Sequence, residues 1–389
     1  MRGFLLSCVR EGEMAGYRMA DDMVKLIRAI EKTGPRNLSL IAKLTGIPER
    51  TVRYRVKEQL PALGFTFRPL VDEGKLGLIK YFIRLKFSSE FRGEEATVML
   101  NALARTAYLT YYAALMPCDE LIALASVPFG LEKRWRGLFD TLVDMEILDS
   151  FALYPLDEVW RTSIDVSCFD FAHGTWFLSF TSSDGATRDR SIVLRRPDTD
   201  KFNVDKVDLL VIKELQKDPL QPFTEMAKAV GVNEAVLRYH YREHVLGRGL
   251  IPRYMVVWHS RGSFLRGEYL GMILMCDDVD EELLVRIADS LARFPLTRFE
   301  GISLEHVFYV LMLEMPSSWL TGILRLLREA DLPSATQIAF IDVTKMKHYT
   351  IPYEMFDGKA GWTFDEEKVM GIIAKTVGLG LRKTVTELE

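Results

Sequence analysis

The sequence predicts an α+β fold built from two copies of one unit, each a winged helix-turn-helix followed by a β-α-β-β-α-β layer. Three observations predict it. The chain repeats itself 185 positions on. Each repeat opens with apolar residues at helical spacing around a turn glycine. Each then changes to strand-like alternation interrupted by amphipathic helices.

The repeat is clearest where Ile41–Tyr54 lies over Met226–Tyr239: Ala, Lys, Gly, Glu, Arg and Tyr coincide without a gap, and Gly64 then falls on Gly249. Further on, Met116–Pro128 lies over Leu304–Pro316, each an apolar run ended by proline and followed by a Trp-containing amphipathic stretch. The spacing predicts an N-terminal extension (1–19), helix-turn-helix domains at 20–75 and 204–258, and α+β domains at 78–156 and 265–345. An insert or linker (157–203) and a C-terminal extension (346–389) complete the chain, the latter with an amphipathic helix over 364–388.

In the first unit, residues 23, 26, 27 and 30 make one apolar helical face, and Gly34-Pro35 stops that helix. Ser39 is placed to cap a short helix over 40–44. Gly46 supplies the turn, and a third helix runs from about 49 to 60. In the α+β part, 80–87 alternates as a half-buried strand, 92–104 is helical, and 108–116 and 119–127 form a strand pair about Pro117-Cys118. A helix (130–146) and a strand (149–155) complete the ferredoxin-like order. The second unit gives strands 269–276, 295–303, 305–313 and 335–342, with helices 280–292 and 317–329. Each such sheet leaves a bare face that needs a partner sheet, so the two units are expected to pair face to face as a pseudo-dimer.

At 100° per residue, Val52, Val56 and Leu60 form the core stripe of the third helix, while Arg50, Arg53, Tyr54 and Lys57 face away from it. In the second copy the stripe is Leu237, Tyr241 and Val245, and the outward face is Ala235, Arg238, Tyr239 and Arg242. Arg55 lies nearer the stripe, where it buttresses the domain or touches a phosphate, and His240 matches it. Residues 40–70 hold six cations against two carboxylates, net +4, and residues 226–255 hold five against two, net +3. The whole chain has 50 Lys+Arg, 54 Asp+Glu and net charge −4, so basic character is local to these helices rather than a general coat.

With 48% hydrophobic and 27% charged residues, the composition excludes a disordered chain. The longest apolar runs (121–127, 307–313) are too short to cross a bilayer. The four cysteines, Cys8, Cys118, Cys168 and Cys276, form no zinc motif and suit a reducing cytoplasm. There is no phosphate loop and no Gly-x-Gly-x-x-Gly. His240 and His244 share a helix at i, i+4, a spacing that can hold a metal, but no third ligand is near them in sequence. No catalytic residue, cofactor or metal is therefore assigned.

This order of domains resembles the Lrp/AsnC family of transcription regulators. The resemblance rests on Ile41–Leu60 with Gly64, on Met226–Val245 with Gly249, and on Pro117-Cys118-Asp119-Glu120-Leu121, which is similar to that family's Gly-x-Tyr-Asp loop. Ordinary members are single units, whereas two are fused here. The resemblance implies a cytoplasmic, sequence-specific DNA-binding regulator, acting as an internal pseudo-dimer or a homodimer. Its partner would be double-stranded DNA, with a small-molecule effector at the ferredoxin-like domains and no membrane. The DNA-contacting set would be Arg50, Arg53, Tyr54, Arg55, Lys57, Arg238, Tyr239, His240 and Arg242, serving two unequal half-sites. Two other readings stay open. A related family, the siroheme decarboxylases, uses the same unit, which implies an enzyme with basic and imidazole residues around a tetrapyrrole. Alternatively, degenerate helix-turn-helix domains would bind the transcription machinery.

Overall fold

The structure is a computed structural model that describes residues 21–376, apart from 92, 162–164, 172–174, 177–192, 198–202, 259–266, 278, 280–281, 283–296, 330–331 and 333–335. The expected helix 280–292, the extension 1–19 and the far half of the C-terminal helix thus lie outside the described residues in whole or large part.

The first helix-turn-helix is α1 (21–33), α2 (Leu38–Thr45) and α3 (Glu49–Tyr54, continued through Arg55–Gln59 in a wider helical winding). Val52, Val56 and Leu60 are fully buried against Met23, Leu26 and Ile27, so the 3.6-residue period places the helix as read. Gly46 takes the left-handed conformation (φ 72°), which other residues resist. Asn37, not Ser39, caps α2: its Oδ1 accepts from the Leu40 N–H at 3.1 Å. Ser39 lies one residue inside that helix and donates to Glu49 at 2.8 Å.

Next come β1 (Phe65–Leu70), β2 (Leu78–Phe87), α4 (Glu94–Thr106), β3 (Leu109–Met116), β4 (Leu121–Pro128), α5 (Glu132–Asp144), β5 (Leu148–Pro155), β6 (Glu158–Trp160) and β7 (Leu194–Arg195). The second helix-turn-helix is α6 (Lys206–Lys217), α7 (Phe223–Val230) and α8 (Glu234–Tyr239, continued through His240–Leu246). The rest is β8 (Arg253–Trp258), β9 (Tyr269–Cys276), β10 (Thr297–Ser303), β11 (Phe308–Pro316), α9 (Leu320–Glu329), β12 (Gln337–His348) and α10 (Glu366–Thr376). The fold is α+β, as the alternation of periods implies.

Ten strands join in one antiparallel sheet, ordered β5-β2-β4-β3-β12-β9-β11-β10-β6-β7. It consists of two ferredoxin-like sheets joined edge to edge where β3 meets β12. Strand β6 follows β5 by two residues, yet it pairs with β10 near the opposite end of the order, so the sheet must fold back on itself. Its two halves therefore also face one another. Phe308 from β11 lies 5.4 Å from the ring of Phe82 and 3.8 Å from that of Tyr154. Around them Leu124, Val310, Met312 and Ala339 form a core between the layers. Asp277 accepts from Tyr154 Oη at 3.1 Å and lies 3.8 Å from Arg84 across this seam.

The duplication is crossed. The core of the second helix-turn-helix (Leu209, Ile212, Leu237, Val245) runs into the helix layer of the first α+β domain. That of the first runs into the helix layer of the second. The wings pair with each other, β1 against β8, from Phe65↔Trp258 to Leu70↔Arg253. Arg36 of the first helix-turn-helix donates to the carbonyls of Pro219 and Gln221 at 2.7 and 2.6 Å and lies over the Phe223 ring of the second. The described part of the C-terminal helix, α10, buries Val369 and Ile373 against α4 and α5.

Candidate functional site

A cavity of about 350 Å³ lies between the paired wings and one end of the folded sheet. The wings contribute Arg68, Met255 and Val257. The first sheet contributes Lys80, Thr110, Tyr111 and Leu124, and the second Arg298, Phe299, Met312 and Glu314. Arg161, just beyond β6, completes the wall. Strand β12 shapes its mouth. Between Asp342↔Ala114 and Lys347↔Tyr112 the register slips, so residues 343–346 bulge out, and Val343 and Met346 of the bulge line the cavity. A bulge re-aims side chains and interrupts pairing, a recurrent device beside binding sites.

Four cations converge here. Lys80 is buried, held 2.7 Å from Glu73 and 2.7 Å from Ser126 Oγ, which in turn donates to Glu73. Burial lowers its pKa to about 8; Glu73 opposes the fall and Arg161 adds to it. Arg298 donates through Nε to Glu314 at 2.6 Å and through Nη2 to the Trp258 carbonyl at 2.7 Å. Arg68 and Arg161 differ from these. Among the described residues neither has an ion-pair or hydrogen-bond partner for its guanidinium; Arg161 rests over the Phe299 ring at 5.6 Å. Burial, then Arg298 and Arg161, lower the pKa of Arg68. Burial likewise lowers that of Arg161, with Glu73 opposing. Glu73 and Glu314 also line the cavity and are engaged by Lys80 and Arg298, so the four cations outnumber the carboxylates there by two, an excess that a bound anion would offset. The duplicated counterpart of Arg68 is Arg253, 185 positions on, which lies 4.0 Å from Glu31 and does not line the cavity. At this position, then, the two copies have diverged.

Tyr111 and His348 stand across from each other on β3 and β12, with ring centroids 4.7 Å apart. Both line the cavity. Tyr111 is buried and its hydroxyl is held protonated by that burial, its pKa well above the usual 10. His348 is exposed at the mouth.

The helices singled out from sequence lie elsewhere. On α3, Arg50, Arg53, Tyr54 and Lys57 are exposed, and Arg53 bonds Glu49 at 3.1 Å. Arg55 is turned inward, its side chain 12% exposed and 3.5 Å from Asp22, because 100° per residue carries it toward α1. On α8, Tyr239 and Arg242 are exposed. Arg238 is bound to Glu234 at 2.7 Å and lies over Phe223. His240 is not on the outward face: its Nδ1 lies 2.8 Å from the buried Asp208. Arg55 and His240 thus meet internal carboxylates, since both lie on the flank of the helix that meets the first helix of its domain.

None of the cavity's cations was singled out from the sequence. Arg68 counted only toward local charge, Lys80 as a strand residue, and Arg161 fell in the presumed linker. One signal was present: Lys80 interrupts the apolar run Leu78–Ile83 in a strand that must be buried on both faces, and a charge there needs a reason.

No protein-family model matches the chain, and no curated protein matches it. Among solved structures, the chain is similar to the siroheme decarboxylase NirDL, with TM-score 0.55 and 16% identity over 91% of this chain and 99% of that one. A second structure of NirDL, in co-complex with an iron-uroporphyrin III analogue, gives the same score and identity over 92% and 99%. The fold is shared along nearly the whole chain. A transcriptional regulator of Neisseria meningitidis, in complex with L-Met, matches over 38% of this chain and 96% of its own, with TM-score 0.31 and 16% identity. Among the described residues no helix is long and apolar enough to cross a membrane.

The pKa of Lys80 gives a prediction. It falls from the usual 10.5 to about 8, so between those values the folded chain holds fewer protons than the unfolded one. Stability from this group therefore rises with pH across that window and is lowest below about 8. Anion binding runs the other way, since it needs the charged amine. Affinity for a polycarboxylate should fall as pH rises through about 8, and Lys80→Met should flatten that dependence. Calorimetric titration from pH 6 to 9 checks this; a wild-type profile as flat as the variant's would discount Lys80 as an anion contact.

Proposed function

We propose that the chain binds an iron tetrapyrrole bearing several carboxylates in this cavity and removes carboxyl groups from its acetate side chains. The observation that carries the reading is the pair of guanidiniums, Arg68 and Arg161, which among the described residues form no ion pair, beside Lys80 and Arg298. Arginine presents a planar fork that fits a carboxylate with two parallel hydrogen bonds. Leu124, Met312 and Phe299 supply apolar surface for a flat ring. At about 350 Å³ the cavity is at the small end for a ligand pocket, so the macrocycle enters by one edge and the rest lies in the mouth formed by the β12 bulge. The similarity in fold to a siroheme decarboxylase supports the choice of macrocycle.

The chemistry asked of these residues is limited. The C–C bond to the carboxylate breaks, CO2 leaves, and the electron pair passes into the pyrrole ring. One proton then returns to the methylene carbon, leaving a methyl group, so no oxidant or reductant is consumed. Arg68, Arg161 and Arg298 orient the carboxylates that stay, and a reacting carboxylate laid on the apolar floor loses solvation that would otherwise oppose loss of CO2. His348, beside Tyr111, is the group placed to return the proton. Incubation with siroheme under anaerobic conditions, read by the Soret band and by mass, tests the proposal. The expected result is a shifted band and loss of CO2 in whole units; an unshifted band with siroheme in excess would end it.

A second reading has its own observation, the exposure of Arg50, Arg53, Tyr54 and Lys57 together on α3. These would meet a DNA duplex, with phosphate contacts giving steep salt dependence. Gel-shift titration against genomic fragments, wild type beside the Arg50→Ala/Arg53→Ala/Lys57→Ala variant, separates the readings. Equal retention by both proteins would remove α3 as a recognition helix.

A further inference from the structure

We infer that the second helix-turn-helix holds a divalent transition-metal ion of the zinc class between Asp205, Asp208, His240 and His244. The inference is independent of the cavity and its ligand. The four side chains offer donor atoms that all lie within 4.8 Å of one another. The histidines are one helical turn apart on α8, and the carboxylates stand at the start of α6, which the fold lays against it. The third ligand missing from the sequence around the histidines is thus supplied by a helix more than thirty residues upstream.

The carboxylates are already oriented. Asp205 and Asp208 form a capping box at the α6 N-terminus. Asp205 Oδ1 accepts the backbone N–H groups of Val207 and Asp208, and Asp208 Oδ2 accepts that of Asp205. Each therefore spends one oxygen on the helix end and turns the other toward the imidazoles. His240 and His244 bring Nδ1 to 2.8 and 3.0 Å from Asp208 Oδ1 and to 3.7 and 3.9 Å from Asp205 Oδ2. A tetrahedral zinc site with bonds of about 2.0–2.1 Å has donor–donor edges of roughly 3.3 Å, and the four measured edges bracket that value. Side chains held by backbone hydrogen bonds behind the ligating atoms are the usual support of such a site. Asp208 is fully buried, and both imidazoles bring Nδ1 within hydrogen-bond reach of its Oδ1, His244 also to 3.3 Å from Oδ2, so an ion set among these atoms would be held by all three side chains. Arg248 lies 3.8 Å from Asp208 Oδ2, on the oxygen engaged by the helix end, and it competes for charge but not for the open position. Two nitrogens and two oxygens suit zinc, and cobalt(II) as its spectroscopic substitute. The ion would staple α6 to the recognition helix α8.

The test uses the full chain stripped with chelator and then titrated with Co2+ and Zn2+. The expected result is one equivalent of Co2+ giving visible bands of tetrahedral intensity, displaced by Zn2+, with Tm raised in excess metal. Asp205→Ser keeps a helix-capping side chain while removing a ligand, and should weaken binding by more than about tenfold, since a ligand's loss costs at least as much as the loss of a group that merely orients one. The His240→Gln/His244→Gln variant, with folding checked by circular dichroism, should bind none. Absence of the cobalt bands in the wild type, or equal affinity in the folded variants, would overturn the site. Because the wild-type spectrum stands alone, the outcome does not depend on any variant folding.

Discussion

Replacing Arg68 and Arg161 together with alanine is expected to lower affinity for a uroporphyrin-type polycarboxylate by about 10²–10⁴-fold, while the fold survives. Each guanidinium–carboxylate contact contributes roughly 1.5–3 kcal/mol, and two such contacts convert to that range. The free protein should behave in the opposite sense. Arg161 is half-buried, forms no ion pair among the described residues and is offset only in part by Glu73, so a shape-matched apolar side chain removes a poorly compensated charge. Arg161→Met should stabilise the unliganded chain by about 1 kcal/mol, or about 1–2 °C in Tm for a chain of 389 residues. A purely structural arginine would not separate the two effects, since its loss would lower stability and leave the ligand unaffected. Calorimetric melts with and without ligand read both at once, and a fall in unliganded Tm on Arg161→Met would count against a binding role.

Phe308→Ala should lower stability by about 3–5 kcal/mol, the range for emptying a buried aromatic position. Phe308 is fully buried and stacked between Phe82 and Tyr154, where the two sheet halves meet. Few other side chains stand ready to collapse into the space, because both faces of the gap are backbone-ordered sheets. Trp135→Ala gives a comparison. Trp135 is as deeply buried, but it lies in the helix layer, with its indole N–H on the Ala107 carbonyl at 2.9 Å. It should cost a similar amount and leave ligand affinity near the wild-type value, whereas Phe308→Ala loosens the seam on which the cavity opens and should weaken binding as well. Denaturant melts and ligand titrations of the two variants check this, and equal binding by both would show that the seam does not set the site.

The cavity, the paired histidines and the crossed packing share a cause: each depends on contacts between residues far apart in sequence. Arg68, Lys80, Arg161 and Arg298 come from a wing, a strand, the segment after β6 and a strand of the other unit. Periodicity sees none of those meetings. Asp208 was unremarkable as a helix residue until α6 was set against α8. The place of Arg55 beside the core stripe, matched by His240, was legible in the sequence; their partners Asp22 and Asp208 were not, because each lies on another helix.

The sequence by itself determined the local features: the periods that make strands and helices, the glycine turns at 46 and 231, the core stripe Val52, Val56 and Leu60, and the duplication. These follow from backbone sterics and from the burial of near neighbours, which act over a few residues. The bare faces already called for the two sheets to pair; tertiary structure alone decided that they also join edge to edge at β3 and β12, that each helix-turn-helix packs on the opposite unit, and that cations gather at one end of the fold. Those outcomes are set by apolar faces seeking partners across the whole chain, and the free energy of such pairings carries no trace in the spacing of residues along it.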